Sequence, residues 1–372
     1  MRRLVFIIIV CFTAAICWGQ KQYVFRMKNT HKHYVRLLFA GDAMQHGPQI
    51  KAAWNSQTKQ YNYEANFRYL EPYIEEADIN IVNVETSFPG SDYCGYPRFR
   101  SPDAYFNAMV DAGFNVFALA NNHVLDGGGQ GMERTLNLIS PYPSLGAYLS
   151  NEHRIEKYPL VALIGGIKIA IFNATYGTND LKVKKPKTVN YIDTKQIEAD
   201  ITASLADSTI DLRIMYIHWG EEYQLLHNKE QEKLAYWLAN MGIDVIIGSH
   251  PHVVQDYHII PTQDGRRVPV VYSLGNLVSN QTWTNSNGGI IAMVDINRQT
   301  KEVQKLHFIP YYLHRGKLGG DGDPSHQNKY QYYCIPTQEY LDGKLPFVLP
   351  DQVSEDKLKL FHQNTLERMS IE

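Results

Sequence analysis

Two histidines flank one proline in GSHPHVV, residues 248–254, directly after the apolar run 245–247. A pair of imidazoles two positions apart at the end of a buried strand suggests that His250 and His252 aim at one place. Pro251 fixes its own φ and biases His250 to an extended backbone, so both rings are expected to lean into one cleft. Comparable groups end the other apolar runs. Asp42 closes 35–42, Glu85 closes 79–85, Asn122 closes 115–122 with His123 next, and His218 stands near the end of 212–220. In open α/β sheets, ligands bind beyond the carboxyl ends of the strands. Asp42, Glu85, Asn122, His218, His250 and His252 can therefore converge, although they are scattered along the chain.

This set of carboxylate, amide and imidazole donors suits Mn²⁺, Fe or Zn²⁺. Six donors exceed the needs of one structural zinc and fit one or two divalent ions, with a carboxylate shared between them. Two metals about 3.5–4 Å apart can clamp the attacking and leaving oxygens of a displacement at phosphorus. Neighbouring residues extend the site. Asp126 either orients His123 and raises its basicity or caps the glycine turn that follows. Glu222 and Tyr223, just past His218, and Asn276, after Ser-Leu-Gly, are candidate substrate contacts. The three glycines 127–129 let backbone approach the pocket, and their N–H groups are a candidate anion cradle.

The elements that must position these residues alternate. Strands are expected at 35–42, 79–85, 115–122, 212–220 and 244–250, with helices at 64–78, 101–114, 129–139, 194–207 and 229–242. Residues 160–175 read as a hairpin around Gly165-Gly166. Alternation of strand and helix argues a parallel sheet with right-handed crossovers. The consecutive strands 268–276, 288–297 and 302–313 argue added antiparallel pairs. The fold class is α/β, with one layered domain from 33 to 315. Residues 316–372 read as a turn-rich linker, 316–329, and a C-terminal helical extension around 354–369.

Composition narrows the function. The chain has 372 residues, 44% hydrophobic, with formal net charge −2. That balance carries no electrostatic footprint for nucleic acid. Twenty-five tyrosines fit either half-buried edges or a polymer-facing surface. Residues 1–19 have the layout of a secretory signal peptide: a basic start, an apolar run over 4–18 and a small-residue end. That run is short for a membrane span, which takes roughly 20 residues, and an uncleaved N-terminal anchor is the alternative. The expectation is an extracytoplasmic protein, periplasmic or secreted, starting near Gln20. Cys94 and Cys334 then remain, enough for at most one bridge, and neither stands beside a base as an activated thiol would.

The ordered motifs FAGDAM, NVETSFPG, ALANNHVLDGG, IHWGEEY, GSHPHVVQ and YSLGN resemble those of the CapA-type poly-γ-glutamate capsule synthesis family. That family is a branch of the calcineurin-like metallophosphoesterase superfamily, and the resemblance covers residues 35 to 280. It implies a four-layer α/β/β/α sandwich with a two-metal site at its top. It also implies a part in biosynthesis or export of an anionic surface polymer, with a membrane-associated export machinery as partner. Another extracytoplasmic phosphate ester, or polymer binding without chemistry, is the alternative. By motif, Asp42 and His252 would hold the first metal and Asn122, His218 and His250 the second, with Glu85 bridging. His123 would be the general acid. The superfamily usually has a histidine two residues after the first aspartate, where this chain has Met44. The first metal is therefore short of an imidazole, and His46 is the candidate substitute.

Overall fold

The computed structural model describes residues 20–318 and 330–370. Two sheets face each other. In the first, Tyr34–Ala43 lies between Ile79–Asn83, parallel to it, and Gly288–Asn297, antiparallel to it. Val116–Ala118 and Ser144–Leu145 continue the parallel side. Val303–Gly316 and Gln331–Pro336 continue the antiparallel side. In the second sheet the order is Gln22–Val24, Leu160–Ile164, Ile167–Thr175, Leu212–His218, Val245–Ser249, Arg267–Val271, Tyr257–Pro261. Its central three strands run parallel.

Side-chain alternation along the strands builds the layers. Leu37 and Phe39 face inward, packed in one core with Ile169, Ile171, Ile214, Tyr216, Val245 and Ile247 of the opposite sheet. Leu38 and Ala40 face outward against Phe67, Leu70, Tyr105, Phe106, Met109 and Met132 from the helices on that side. On the far side, Ala170, Phe172, Met215, Ile217 and Ile246 pack under Ile197, Ile201, Ala235 and Leu238. Three cores between four layers make the α/β/β/α sandwich. Both faces of each central strand are buried, which is why these strands read as continuous apolar runs. The Tyr216 hydroxyl donates to the Ala40 carbonyl at 2.6 Å and ties the sheets together near the site.

Local chemistry sets the boundaries. Lys229–Asn240 starts with a capping box, in which Asn228 and Gln231 each accept the other's backbone N–H. Asp103–Ala112 stops at Gly113, whose φ of +106° is cheap only for glycine. The expected helix 64–78 is split into Glu64–Phe67 and Glu71–Glu76, because Pro72 lacks an N–H and suits only a first turn. Ser101 does not cap the next helix: Pro102 occupies the cap position, and the Ser101 hydroxyl pairs with Thr86 at 2.6 Å. The run 268–276 divides between sheets, with Arg267–Val271 in the second and Asn276–Val278 beside Tyr34–Ala43 in the first.

The domain does not end at 315. Gln331–Pro336 pairs in register with the end of Val303–Gly316. The helix Gln352–Met369 buries Leu358 and Phe361 in the inter-sheet core. The strand sequence QYYCIP gives no strand signal of its own, because it follows a turn-rich stretch. Residues 1–19, the expected signal, and 319–329, most of the expected linker, lie outside the described residues. Cys94 and Cys334 are both unbridged, and burial pushes the Cys334 thiol far above its usual range.

Candidate metal centre

Asp42 stands at the end of Tyr34–Ala43 because Gly41 lets two backbones touch: a Cβ there would collide with the Gly275 carbonyl. The Asp42 N–H donates to that same carbonyl at 3.1 Å. Its carboxylate is fully buried and well held. Oδ1 accepts from Asn83 Nδ2 at 2.8 Å, and Oδ2 accepts from the His250 backbone N–H at 3.2 Å. His252 Nδ1 lies 3.1 Å from Oδ2.

Glu85 follows Ile79–Asn83, and its backbone N–H donates to the Ala43 carbonyl at 3.2 Å. Both of its carboxylate oxygens are buried without a hydrogen-bond partner. They are ringed by imidazoles instead: His218 Nε2 at 3.6 Å, His252 Nε2 at 3.9 Å and His123 Nε2 at 4.0 Å. Burial first, then the charge of Asp42, pushes the Glu85 carboxyl well above the usual carboxylate range. A buried carboxylate with no donor costs several kcal/mol, and a cation among the imidazoles would remove that cost and reverse the shift.

The second sheet supplies the imidazoles. His218 ends Leu212–His218, fully buried, with Nε2 2.9 Å from Asn122 Oδ1 and Nδ1 3.0 Å from Ser249 Oγ. His250 and His252 follow Val245–Ser249. Their backbone is not extended: φ is +102° at His250 and +58° at His252. Each such residue costs of order 1–3 kcal/mol. The hydrogen bond from the His250 N–H to Asp42 outweighs the preference that Pro251 imposes. The outcome is still a shared cleft, with the two rings 5.7 Å apart and His250 4.7 Å from His218. His250 Nδ1 is buried and unpartnered. Burial pushes both His218 and His250 well below the usual imidazole range, which keeps them in the neutral form that ligates metals.

Two ligand groups result, each with donor atoms within 4.8 Å of one another: Glu85, His218 and His250, and Asp42, Glu85 and His252. Glu85 is common to both. Asn122 joins the first group through its contact with His218. Met44 is buried and donates its N–H to the Val278 carbonyl. His46 belongs to neither group: its Nδ1 accepts from the Asn280 N–H at 3.1 Å and its ring lies against Phe99 at 4.8 Å.

His123 Nδ1 meets Asp126 Oδ2 at 2.6 Å, and Asp126 also accepts the Phe99 N–H at 2.6 Å. Asp126 therefore orients His123 rather than capping the glycine turn. The ring of His123 packs on Phe99 at 4.5 Å, and its Nε2 faces Glu85. Gly127 packs onto Gly131 and Ser87, so close packing explains one of the three glycines. Glu222 is exposed, with a carboxylate oxygen among the His250 and His252 nitrogens. Tyr223 stands 6.1 Å from His252 and 6.4 Å from Trp283, ring to ring. Asn276 turns its amide N–H groups inward, to the His252 and Ser286 carbonyls and the Gln281 side chain. It braces the loop from beneath.

Asn83 is the residue that sequence reasoning missed. It grips Asp42 and lies 3.2 Å from His218 Nδ1, while its own Oδ1 accepts from Asn121 at 3.1 Å. Its place two residues before Glu85 was the available signal.

The model of the bacterial capsule synthesis protein family PGA_cap matches residues 36–281. The chain belongs to that family. Every residue of the two ligand groups falls inside the matched span. The capsule biosynthesis protein CapA of Bacillus anthracis is 24% identical over 375 residues, covering 97% of this chain and 87% of its own. The PGA biosynthesis protein CapA of Bacillus subtilis is 26% identical over 310 residues, covering 81% and 77%. Among solved structures, a phosphatase from Mycoplasma pneumoniae aligns over 74% of this chain and 93% of its own, at 18% identity and a TM-score of 0.46.

Proposed function

We propose that this protein acts outside the cytoplasm in the biosynthesis or export of an anionic capsule polymer of the poly-γ-glutamate type, as a divalent-metal hydrolase. The observation that carries the reading is Glu85: a buried carboxylate with no hydrogen-bond donor, shared by two groups of ligand atoms. The family and the CapA relatives support the polymer, and the apolar run over 4–18 supports the location and contact with a membrane-associated export machinery.

The donors fit metal. Glu85 and His250 offer unpartnered buried atoms, and burial keeps His218 and His250 in the neutral form. Asn122, His218 and His250 would hold one ion and Asp42 and His252 the other, with Glu85 between. Three imidazoles with carboxylates suit Mn²⁺, Fe or Zn²⁺. Bound there, the metal supplies Lewis acidity and an activated water at neutral pH. The chain's own residues do the rest. Asn83 fixes the Asp42 carboxylate. Asp126 holds His123 through Nδ1 with Nε2 facing the cleft, the position from which the ring, when it carries both protons, gives one to a leaving group. Tyr223 and Trp283 form an open aromatic wall at the mouth, and Glu222 repels or orders an anionic substrate beside them.

The test is hydrolysis of a γ-glutamyl anilide and of an aryl phosphate by the mature chain with Mn²⁺ or Zn²⁺, alongside His123→Ala. Metal-dependent turnover of either, lost in the variant, is expected. The γ-glutamyl arm, if faster, places the reaction on the polymer amide, and the phosphate arm places it on a phosphate ester. No metal uptake and no turnover would sink the reading.

A further inference from the structure

A second cluster lies on the other side of the loop that carries Glu222 and Tyr223. His227 Nδ1 meets Asp256 Oδ2 at 2.7 Å, and the His227 backbone N–H donates to Asp256 Oδ1 at 3.0 Å. His258 Nε2 stands 2.7 Å from the same Oδ2 but makes no aligned hydrogen bond. The three side chains offer ligand atoms within 4.8 Å of one another. We infer that His227, Asp256 and His258 form a zinc-type site, separate from the Glu85 centre, that fastens the loop over 221–228.

The donor set is two imidazoles and one carboxylate, the set of a three-ligand zinc site with an open fourth position. It is built on rigid supports. Asp256 and His258 are two apart on extended chain and share a face, and His258 lies in Tyr257–Pro261. His227 directly precedes the capped helix Lys229–Asn240. Tyr272 backs both rings, stacked on His227 at 4.0 Å and edge-on to His258 at 5.6 Å. Asp256 is 2% exposed while His227 and His258 are 15% and 31% exposed, so an ion has a way in. Donors of a tetrahedral zinc with bonds of roughly 2.0–2.1 Å stand about 3.3 Å apart, so the cluster need open by only about half an ångström.

The consequence reaches the mouth of the main centre. Gln255, beside Asp256, already holds the Gln224 and Leu226 carbonyls at 2.9 and 3.0 Å. The Tyr223 N–H donates to the Pro251 carbonyl at 2.8 Å. His227 is already bonded to Asp256, and an ion that also takes in His258 locks this end of the loop, so that Glu222 and Tyr223 are held over His250 and His252.

Zinc binding by the mature chain tests the site without reference to turnover. In equilibrium dialysis against Zn²⁺, Glu85→Gln should keep one ion, and Glu85→Gln with His258→Asn should keep none. Trypsin cleavage after Lys229, which is exposed, should slow at least tenfold when Zn²⁺ is added to Glu85→Gln. His258→Asn should abolish that protection. Asp256→Asn, which keeps the shape of the side chain, repeats the measurement if His258→Asn misfolds. Equal zinc content with and without His258, or cleavage indifferent to zinc, would overturn the inference.

Discussion

The first sheet brings Asp42, Asn83 and Glu85 to the cleft and, through the loop after Val116–Ala118, Asn122 and His123. The second sheet brings His218, His250 and His252. One side is rich in carboxylate and amide, the other supplies three imidazoles with the exposed Glu222 at the rim. At this centre neither sheet is sufficient, since the two groups that share Glu85 each take donors from both. An ion at Glu85 would therefore cross-link the sandwich at the end where the Tyr216–Ala40 hydrogen bond already joins it. The two sides also differ in backbone. Asp42 sits within a strand, just past a register shift against Ile79–Asn83, whereas His250 and His252 are held at positive φ. Asp42 and His218 are placed by their strands, and the histidine pair by a strained loop whose His250 N–H donates to Asp42.

Substitutions on the acid side should have the largest effect at the shared group. Glu85→Gln removes the one charge that serves both ligand groups. The expected outcome is loss of both ions of the centre and roughly a 10³-fold drop in turnover, the equivalent of several kcal/mol of transition-state stabilisation. Plasma emission analysis and steady-state rates check it, and retention of either ion would break the symmetry between the two groups. Asn83→Ala comes next. Without its grip on Asp42, affinity at the Asp42–His252 group should fall about 10–100-fold, while the His218–His250 group keeps its ion; competition with a chelator reads both. Asp126→Asn should be mildest for metal. Its content stays at the wild-type level, whereas kcat falls about 10–100-fold with KM little changed, because only the orientation of His123 is lost. A raised KM with unchanged kcat would place Asp126 in binding instead.

The comparison also explains what the sequence made legible. Asp42, Glu85, His218 and the histidine pair stood out because each follows an apolar run, and strand ends are visible wherever both faces of a strand are buried. The four-layer sandwich came from the motif resemblance, while alternation of strand and helix pointed only to a layered parallel sheet. Asn83 was hidden because an amide inside a strand looks like any polar residue until its partner across the register is known. The positive φ of His250 and His252 was hidden because the local rule for a residue before proline favours extension, and a long-range bond to Asp42 overrides it. The strand Gln331–Pro336 was hidden by the turn-rich stretch before it, since its partner is the distant end of Val303–Gly316. The His227–Asp256–His258 cluster was invisible for the same reason: His227 and Asp256 are brought together by a loop, with no strand-end signal.

The shared centre is tested most directly by metal content in a His258→Asn background, where the outer cluster contributes no ion. His250→Ala and His252→Ala are compared with their parent after identical dialysis. The parent should hold two ions per chain. His252→Ala should lose the ion of the Asp42 group, which Met44 leaves short of an imidazole, and keep the other. His250→Ala should keep the Asp42-group ion and hold the second with weakened affinity, since Asn122 and His218 remain. Complete loss of metal in both variants alike would mean a single ion, and full retention in both would mean that the histidine pair serves only the fold.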